Sequence, residues 1–157
     1  MNIVIMSDTH FSRGFSLDNN VLKHISESEK IIHCGDFTSL EFYNFLNSSN
    51  KLVAVRGNND HKLNEILGTE IKIELQGFKL AIVHGHYVKL ENLHRKYSDS
   101  DIIIFGHTHH PSIENVEDQL IINPGSLTSN RYVDYNTFMV MKLNEGQKPV
   151  VNIFKTL

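Results

Sequence analysis

Short apolar runs rich in isoleucine and valine recur along this chain, and each ends in a polar cluster. The first, Ile3-Val4-Ile5-Met6, predicts a strand over 2–6. A polar, glycine-containing connection follows. Val21, Leu22 and Ile25 then fall at helical spacing and predict a helix over 19–28. Residues 31–33 predict a second buried strand, closed by Cys34-Gly35-Asp36. Thr38 and Glu41 have the spacing of a capping box, with Phe42, Phe45 and Leu46 on one face behind them, so a second helix is expected there. A third strand is expected over 52–55. Strand–helix–strand–helix–strand order points to a parallel sheet covered by helices.

The period then changes. A short helix is expected over 61–67, carrying Leu63, Ile66 and Leu67. Ile71, Ile73 and Leu75 alternate with polar residues, and Gln76-Gly77 turns the chain into a strand over 78–83. Leu90, Leu93 and Tyr97 suggest another helix ahead of the apolar run 102–105. Strands follow at 113–116 and 120–122, then a turn at Asn123-Pro124-Gly125-Ser126 and a hairpin joining 135–143 to 149–154. The pattern predicts mixed α/β with more strands than a simple doubly wound domain, in one domain over 1–157.

Composition narrows the chemistry. A net charge near -3 with scattered lysines gives no nucleic-acid signature. No stretch approaches the length of a membrane span, and the start of the chain is apolar too briefly for a signal peptide, so a cytoplasmic protein is expected. The single cysteine, Cys34, cannot form an internal disulfide and suits buried packing in a reducing compartment.

The polar clusters at the run ends carry the candidate site: Asp8-Thr9-His10, Gly35-Asp36, Gly57-Asn58-Asn59-Asp60, His84-Gly85-His86 and Gly106-His107-Thr108-His109. Taken alone, Asp8-x-His10 is a weak signal and 58–60 equally suits a polar turn, whereas Asp36, after a buried strand and a glycine, has little reason to exist for packing, with a helix cap as the lesser alternative. Two His-x-His pairs at separate strand ends are harder to explain by packing, whereas neutral imidazole is a good metal ligand. Mixed oxygen and nitrogen ligands fit two divalent ions rather than an iron–sulfur or cysteine-based zinc site. Two such ions suit phosphate-ester hydrolysis by a hydroxide that bridges them, with Asp36 bridging underneath. Ser7, Thr108 and Ser126 lack an obvious activating His–Asp arrangement, and no phosphate-binding glycine loop is present.

In this order the motifs closely resemble the calcineurin-like metallophosphoesterases, in particular the small single-domain phosphodiesterases of bacteria and archaea. The resemblance implies a four-layer α-β-β-α sandwich, two mixed β-sheets flanked by helices. It implies one ion on Asp8, His10, Asp36 and His109, and another on Asp36, Asn58, His84 and His107. Mn²⁺ is the ion it implies first, with Mg²⁺, Ni²⁺, Fe or Zn²⁺ as alternatives, and the substrate is a small phosphate ester. Many members place a histidine after the ligand asparagine to protonate the leaving group; this chain has Asn59, whose amide has no titratable proton to give. The catalytic candidates are therefore Asn58, whose amide can touch a bound anion, Asp60, which can orient its loop, and His86. Alternatives are a phosphomonoesterase and a protein-binding scaffold of the same fold. Region 11–17 and the last hairpin are the expected contacts of a homodimer or homotetramer.

Overall fold

The computed structural model describes residues 1–156. Its elements run β1 (Asn2–Met6), α1 (Asn19–Glu27), β2 (Lys30–His33), α2 (Leu40–Asn47), β3 (Leu52–Ala54), β4 (Glu70–Leu75), β5 (Phe78–Val83), α3 (Leu93–Lys96), β6 (Ile102–Ile104), β7 (Ser112–Val116), β8 (Gln119–Asn123), β9 (Asn136–Lys142) and β10 (Val150–Thr156). One sheet has the order β10-β9-β1-β2-β3 and the other β4-β5-β6-β8-β7. In the first sheet β1-β2-β3 are parallel with β3 at the edge, and β9 and β10, paired antiparallel, lie on the other side; in the second the central β5-β6-β8 are parallel and antiparallel β4 and β7 form the edges.

The apolar runs are continuous because both faces of each sheet are covered. Ile3, Ile5, Ile32, Leu80, Ile82, Ile102 and Ile104 fill the space between the sheets. Their alternates Val4, Met6 and Ile31 pack against Val21 and Ile25 of α1 and Phe42 and Leu46 of α2. On the second sheet Ala81, Val83 and Ile103 pack against Leu93 and Tyr97. This is the four-layer α-β-β-α arrangement. Among the described residues no helix is long and apolar enough to cross a membrane.

Three local expectations change. The cap of α2 is Ser39, whose side chain accepts from Phe42 N at 3.2 Å. Thr38 instead takes a left-handed backbone (φ 55) and gives its N–H to Asp60 Oδ1 at 2.8 Å. Tyr43 rather than Phe45 joins the buried face of α2; Phe45 lies half-exposed against Phe15 and Phe42. The helix expected over 61–67 is one 3₁₀ turn at His61–Leu63, and the one near Leu90 is a 3₁₀ turn running into the four-residue α3. Both carry too few apolar positions to propagate further turns.

Candidate metal centre

The parallel strands of both sheets deliver their C-terminal ends to one edge. Asp8 and His10 follow β1, Asp36 follows β2, His84 follows β5, and His107 and His109 follow β6. Five of these residues leave their strands with a left-handed backbone: Asp8 (φ 51), His10 (φ 44), Asp36 (φ 59), His107 (φ 67) and His109 (φ 56). Non-glycine residues adopt that region rarely and at a cost of ~1–3 kcal/mol each, and such strain concentrates at functional sites. Two glycines make the close approach possible. A Cβ on Gly57 would stand 2.1 Å from Asp36 Oδ1, and one on Gly106 would stand 1.9 Å from Ser7 Oγ.

Ligand-type atoms converge without a hydrogen-bonding scheme of their own. Asp8 Oδ1 lies 3.2 Å from His109 Nε2, 3.8 Å from His10 Nε2 and 4.0 Å from His84 Nε2. Asp36 Oδ2 lies 3.5 Å from His84 Nε2 and 3.6 Å from His10 Nε2. The Nε2 atoms of His10 and His109 are 3.2 Å apart. Asp8 Oδ1 and His84 Nε2 are buried with no hydrogen-bond partner among the described residues. Buried orphan polar atoms are unfavourable unless something further satisfies them. Ligands about 2.0–2.2 Å from one cation stand roughly 3–3.5 Å from each other, so Asp8–His10–His109 and Asp8–Asp36–His84 both suit divalent ions.

Surrounding groups hold these ligands in place. Asp8 Oδ2 accepts from Ser7 Oγ at 2.6 Å and from His107 N at 2.9 Å, leaving Oδ1 for the centre. His84 Nδ1 donates to Cys34 O at 2.7 Å and His109 Nδ1 to Ser129 O at 2.5 Å, so each ring turns Nε2 inward. Asp60, 1% exposed, accepts from the backbone N–H of Asp36 (2.7 Å), Gly57 (2.8 Å) and Thr38 (2.8 Å). Ser126 Oγ donates to Asp8 O at 2.6 Å, and Asn123 Nδ2 donates to Gly106 O at 2.9 Å. His33 is buried behind the centre, stacked on Phe37 with ring centroids 3.5 Å apart. Its Nδ1 accepts from Gly35 N, so Nε2 is the atom that donates to Thr9 Oγ1.

The electrostatics follow this packing. Burial opposes ionisation of Asp36, but His84 and the hydrogen bonds from Asn59 outweigh it and hold the carboxyl well below the usual range. Burial lowers the His84 pKa, yet Asp36 and Asp8 more than reverse it, so the net shift is upward. His109 is also raised, chiefly by Asp8. Burial, then the charge on His84, lowers His107 and His86. The same two causes take His33 well below its ordinary value.

Among the sequence-derived candidates, Asp8, His10, Asp36, His84 and His109 meet in the cluster. His107 lies beside it, its ring 5.2 Å from that of His84. His86 sits outside both, its ring 5.3 Å from that of His84 and 6.2 Å from that of His107, with both ring nitrogens buried and without a hydrogen-bond partner among the described residues. Asp60 touches backbone rather than ligand atoms. Asn58 and Asn59 are both exposed, but Asn59 reaches Asp36 with its N–H (2.8 Å to Oδ1) and its Nδ2 (2.6 Å to Oδ2). The supporting parts of Ser7, Asn123 and Ser126 were not legible as such; a polar residue at a buried strand end is their only sequence signal.

Residues 1–146 match the family model of the calcineurin-like phosphoesterase superfamily domain. A probable metallophosphoesterase of Methanocaldococcus jannaschii is 39% identical over 139 residues, covering 83% of this chain and 70% of that protein. A phosphodiesterase of the same organism is 35% identical over 143 residues, covering 80% of this chain and 83% of the relative. Among solved structures, a novel archaeal phosphodiesterase aligns with a TM-score of 0.73 at 31% identity, over 98% of this chain and 100% of that one. Vps29 of Entamoeba histolytica, complexed with Zn²⁺, aligns with a TM-score of 0.79 at 23% identity over 99% of each chain, a likeness of fold alone.

Proposed function

Because the chain belongs to the calcineurin-like phosphoesterase superfamily, we propose that it is a phosphodiesterase working with two divalent cations, Mn²⁺ foremost. The observation that carries this reading is the cluster of Asp8, Asp36, His10, His84 and His109, buried except for His10, in which Asp8 Oδ1 and His84 Nε2 make no hydrogen bond among the described residues. One ion is assigned to Asp8, His10, Asp36 and His109, and the other to Asp36, Asn58, His84 and His107. The bridging role of Asp36 is supported by Oδ2, which stands nearly equidistant from His10 and His84. Asn58 is exposed beside Asn59 and would have to turn inward to join the second site.

Held there by these residues, divalent cations would supply Lewis acidity, lowering the pKa of a coordinated water and neutralising charge on the phosphate oxygens. Hydrolysis breaks one ester P–O bond; water supplies the oxygen to phosphorus and the proton to the departing alcohol. Asp60 and Asn59 fix Asp36, while Cys34 O and Ser129 O fix the rings of His84 and His109. His86 serves the leaving oxygen. Its pKa is lowered, first by burial, so at neutral pH it offers a neutral N–H rather than a positive charge. A cytoplasmic location is in keeping with the free, buried Cys34. A homodimer or homotetramer is in keeping with Val150 and Ile153 exposed on β10, an edge strand.

The test is turnover of bis(p-nitrophenyl) phosphate and p-nitrophenyl phosphate with Mn²⁺ saturating. Faster cleavage of the diester is expected. Preference for the monoester would make the chain a phosphomonoesterase, and ions bound without turnover of either would make it a scaffold.

A further inference from the structure

Beside the metal-ligand loop lies a cavity of about 470 Å³ that the chemistry above does not use. It opens on the outer face of the second sheet. Phe105, Ile121, Leu93 and Val116 line it with apolar surface. Thr108 and His110 line it too, and Thr108 lies between His107 and His109 along the chain. Leu90 and Tyr132, 49% and 69% exposed, also line it, and the His110 ring packs edge-on against Tyr132 with centroids 4.9 Å apart. Two carboxylates, Glu91 and Glu114, line it as well, and neither forms a salt bridge among the described residues.

We propose that this cavity is the subsite for one organic group of the ester, and that it selects an uncharged planar ring carrying N–H donors. The proposal rests on the phosphodiesterase reading for its link to turnover, but its binding chemistry stands on the cavity alone. The volume is that of a small-molecule site, about 300–1,000 Å³. A sheet face with Phe105 and Tyr132 suits a flat ring, which gains from aromatic contact as well as from burial. The carboxylates repel a second phosphate and accept from N–H groups carried on the ring; the lining also holds the imidazoles of His94 and His110 but no lysine or arginine.

The test is nuclear magnetic resonance titration of the metal-free protein with two probes, adenosine and purine riboside, which lacks the exocyclic amine. Adenosine is expected to shift the amides of Leu93, Ser112, Val116 and Tyr132. Purine riboside is expected to bind more weakly. Glu91→Ala combined with Glu114→Ala, which removes both acceptors, is expected to erase the difference between the two. Ser112→Trp fills the cavity and is expected to weaken adenosine roughly tenfold or more, the scale of closing a hydrophobic subsite. Tyr132→Ala, a change at an exposed position that spares the fold, is expected to weaken it about threefold to tenfold. Absence of shifts, shifts confined to other surfaces, or equal binding to wild type and both variants overturns the proposal. Equal affinity for the two probes overturns the donor requirement. Because neither metal nor turnover enters the titration, a failed phosphodiesterase assay leaves this result readable on its own.

Discussion

Asp60→Asn isolates the group that positions Asp36 without touching any ligand atom. The aspartate accepts three backbone hydrogen bonds, two on Oδ2 (from Asp36 N and Gly57 N) and one on Oδ1 (from Thr38 N). An asparagine of the same shape keeps one acceptor oxygen. Its best orientation leaves that oxygen facing Asp36 and Gly57 and turns an NH₂ toward the Thr38 N–H. Losing the charge weakens each of the two retained bonds by about 1 kcal/mol, and stranding one N–H costs about 1–3 kcal/mol. The expected loss is thus ~3–5 kcal/mol, a large share of the stability of a typical domain. Urea unfolding in the presence of a chelator measures it, with unchanged m-value and a lower midpoint. Exposed Asp134→Asn serves as the control. A loss below ~0.5 kcal/mol would refute the claim that Asp60 organises the loop. In the same variant Mn²⁺ affinity is expected to fall, because the bond that fixes the Asp36 backbone is weakened and the Thr38 side of the loop is released.

Gly57→Ala drives a methyl group to 2.1 Å from Asp36 Oδ1 and 2.6 Å from Asp36 N. It is expected to cost ~1–3 kcal/mol in urea unfolding and to weaken Mn²⁺ in calorimetry; wild-type behaviour in both would show the approach to be slack. Metal affinity is expected to rise with pH through and above the ordinary histidine value of 6.5. His84 and His109 have raised pKa values and must release protons to ligate, while Asp36 stays ionised. Calorimetry in buffers of different ionisation enthalpy checks this, and no proton release at pH 7 would contradict it. His33 acts in the opposite sense. Its folded pKa is depressed, so below about pH 6.5 the unfolded chain binds a proton that the fold refuses, and this contribution to stability falls as pH falls. His33→Gln is expected to show a shallower decline of the chelator-treated urea midpoint between pH 7 and 5, and parallel declines would acquit His33.

How much could be read in advance follows from what each residue contacts. Strands such as β1 and β6 were legible because Ile3-Val4-Ile5-Met6 and Ile102-Ile103-Ile104 are buried on both faces, which requires an unbroken apolar run. The segments that carry Asp8, Asp36, His84 and His109 were legible because imidazoles and carboxylates at strand ends have little to do in packing. What sequence spacing does not encode is long-range approach. Thr38 fits a capping pattern with Glu41, yet Asp60, 22 residues away, takes its N–H and leaves Ser39 as the cap. Asn58 and Asn59 are chemically identical; only the turn after Gly57 decides that Asn59 faces Asp36. The cavity beside Thr108 joins elements from Leu90 to Tyr132 and has no local signature at all.

The central claim is that segments from both sheets hold a pair of cations across Asp36. Anomalous scattering from crystals grown with manganese tests it most directly. The expected result is two peaks flanking the Asp36 carboxylate, one contacted by Asp8, His10 and His109, the other by His84 and His107. A map with no peak at Asp36, or with manganese bound only elsewhere, would contradict it.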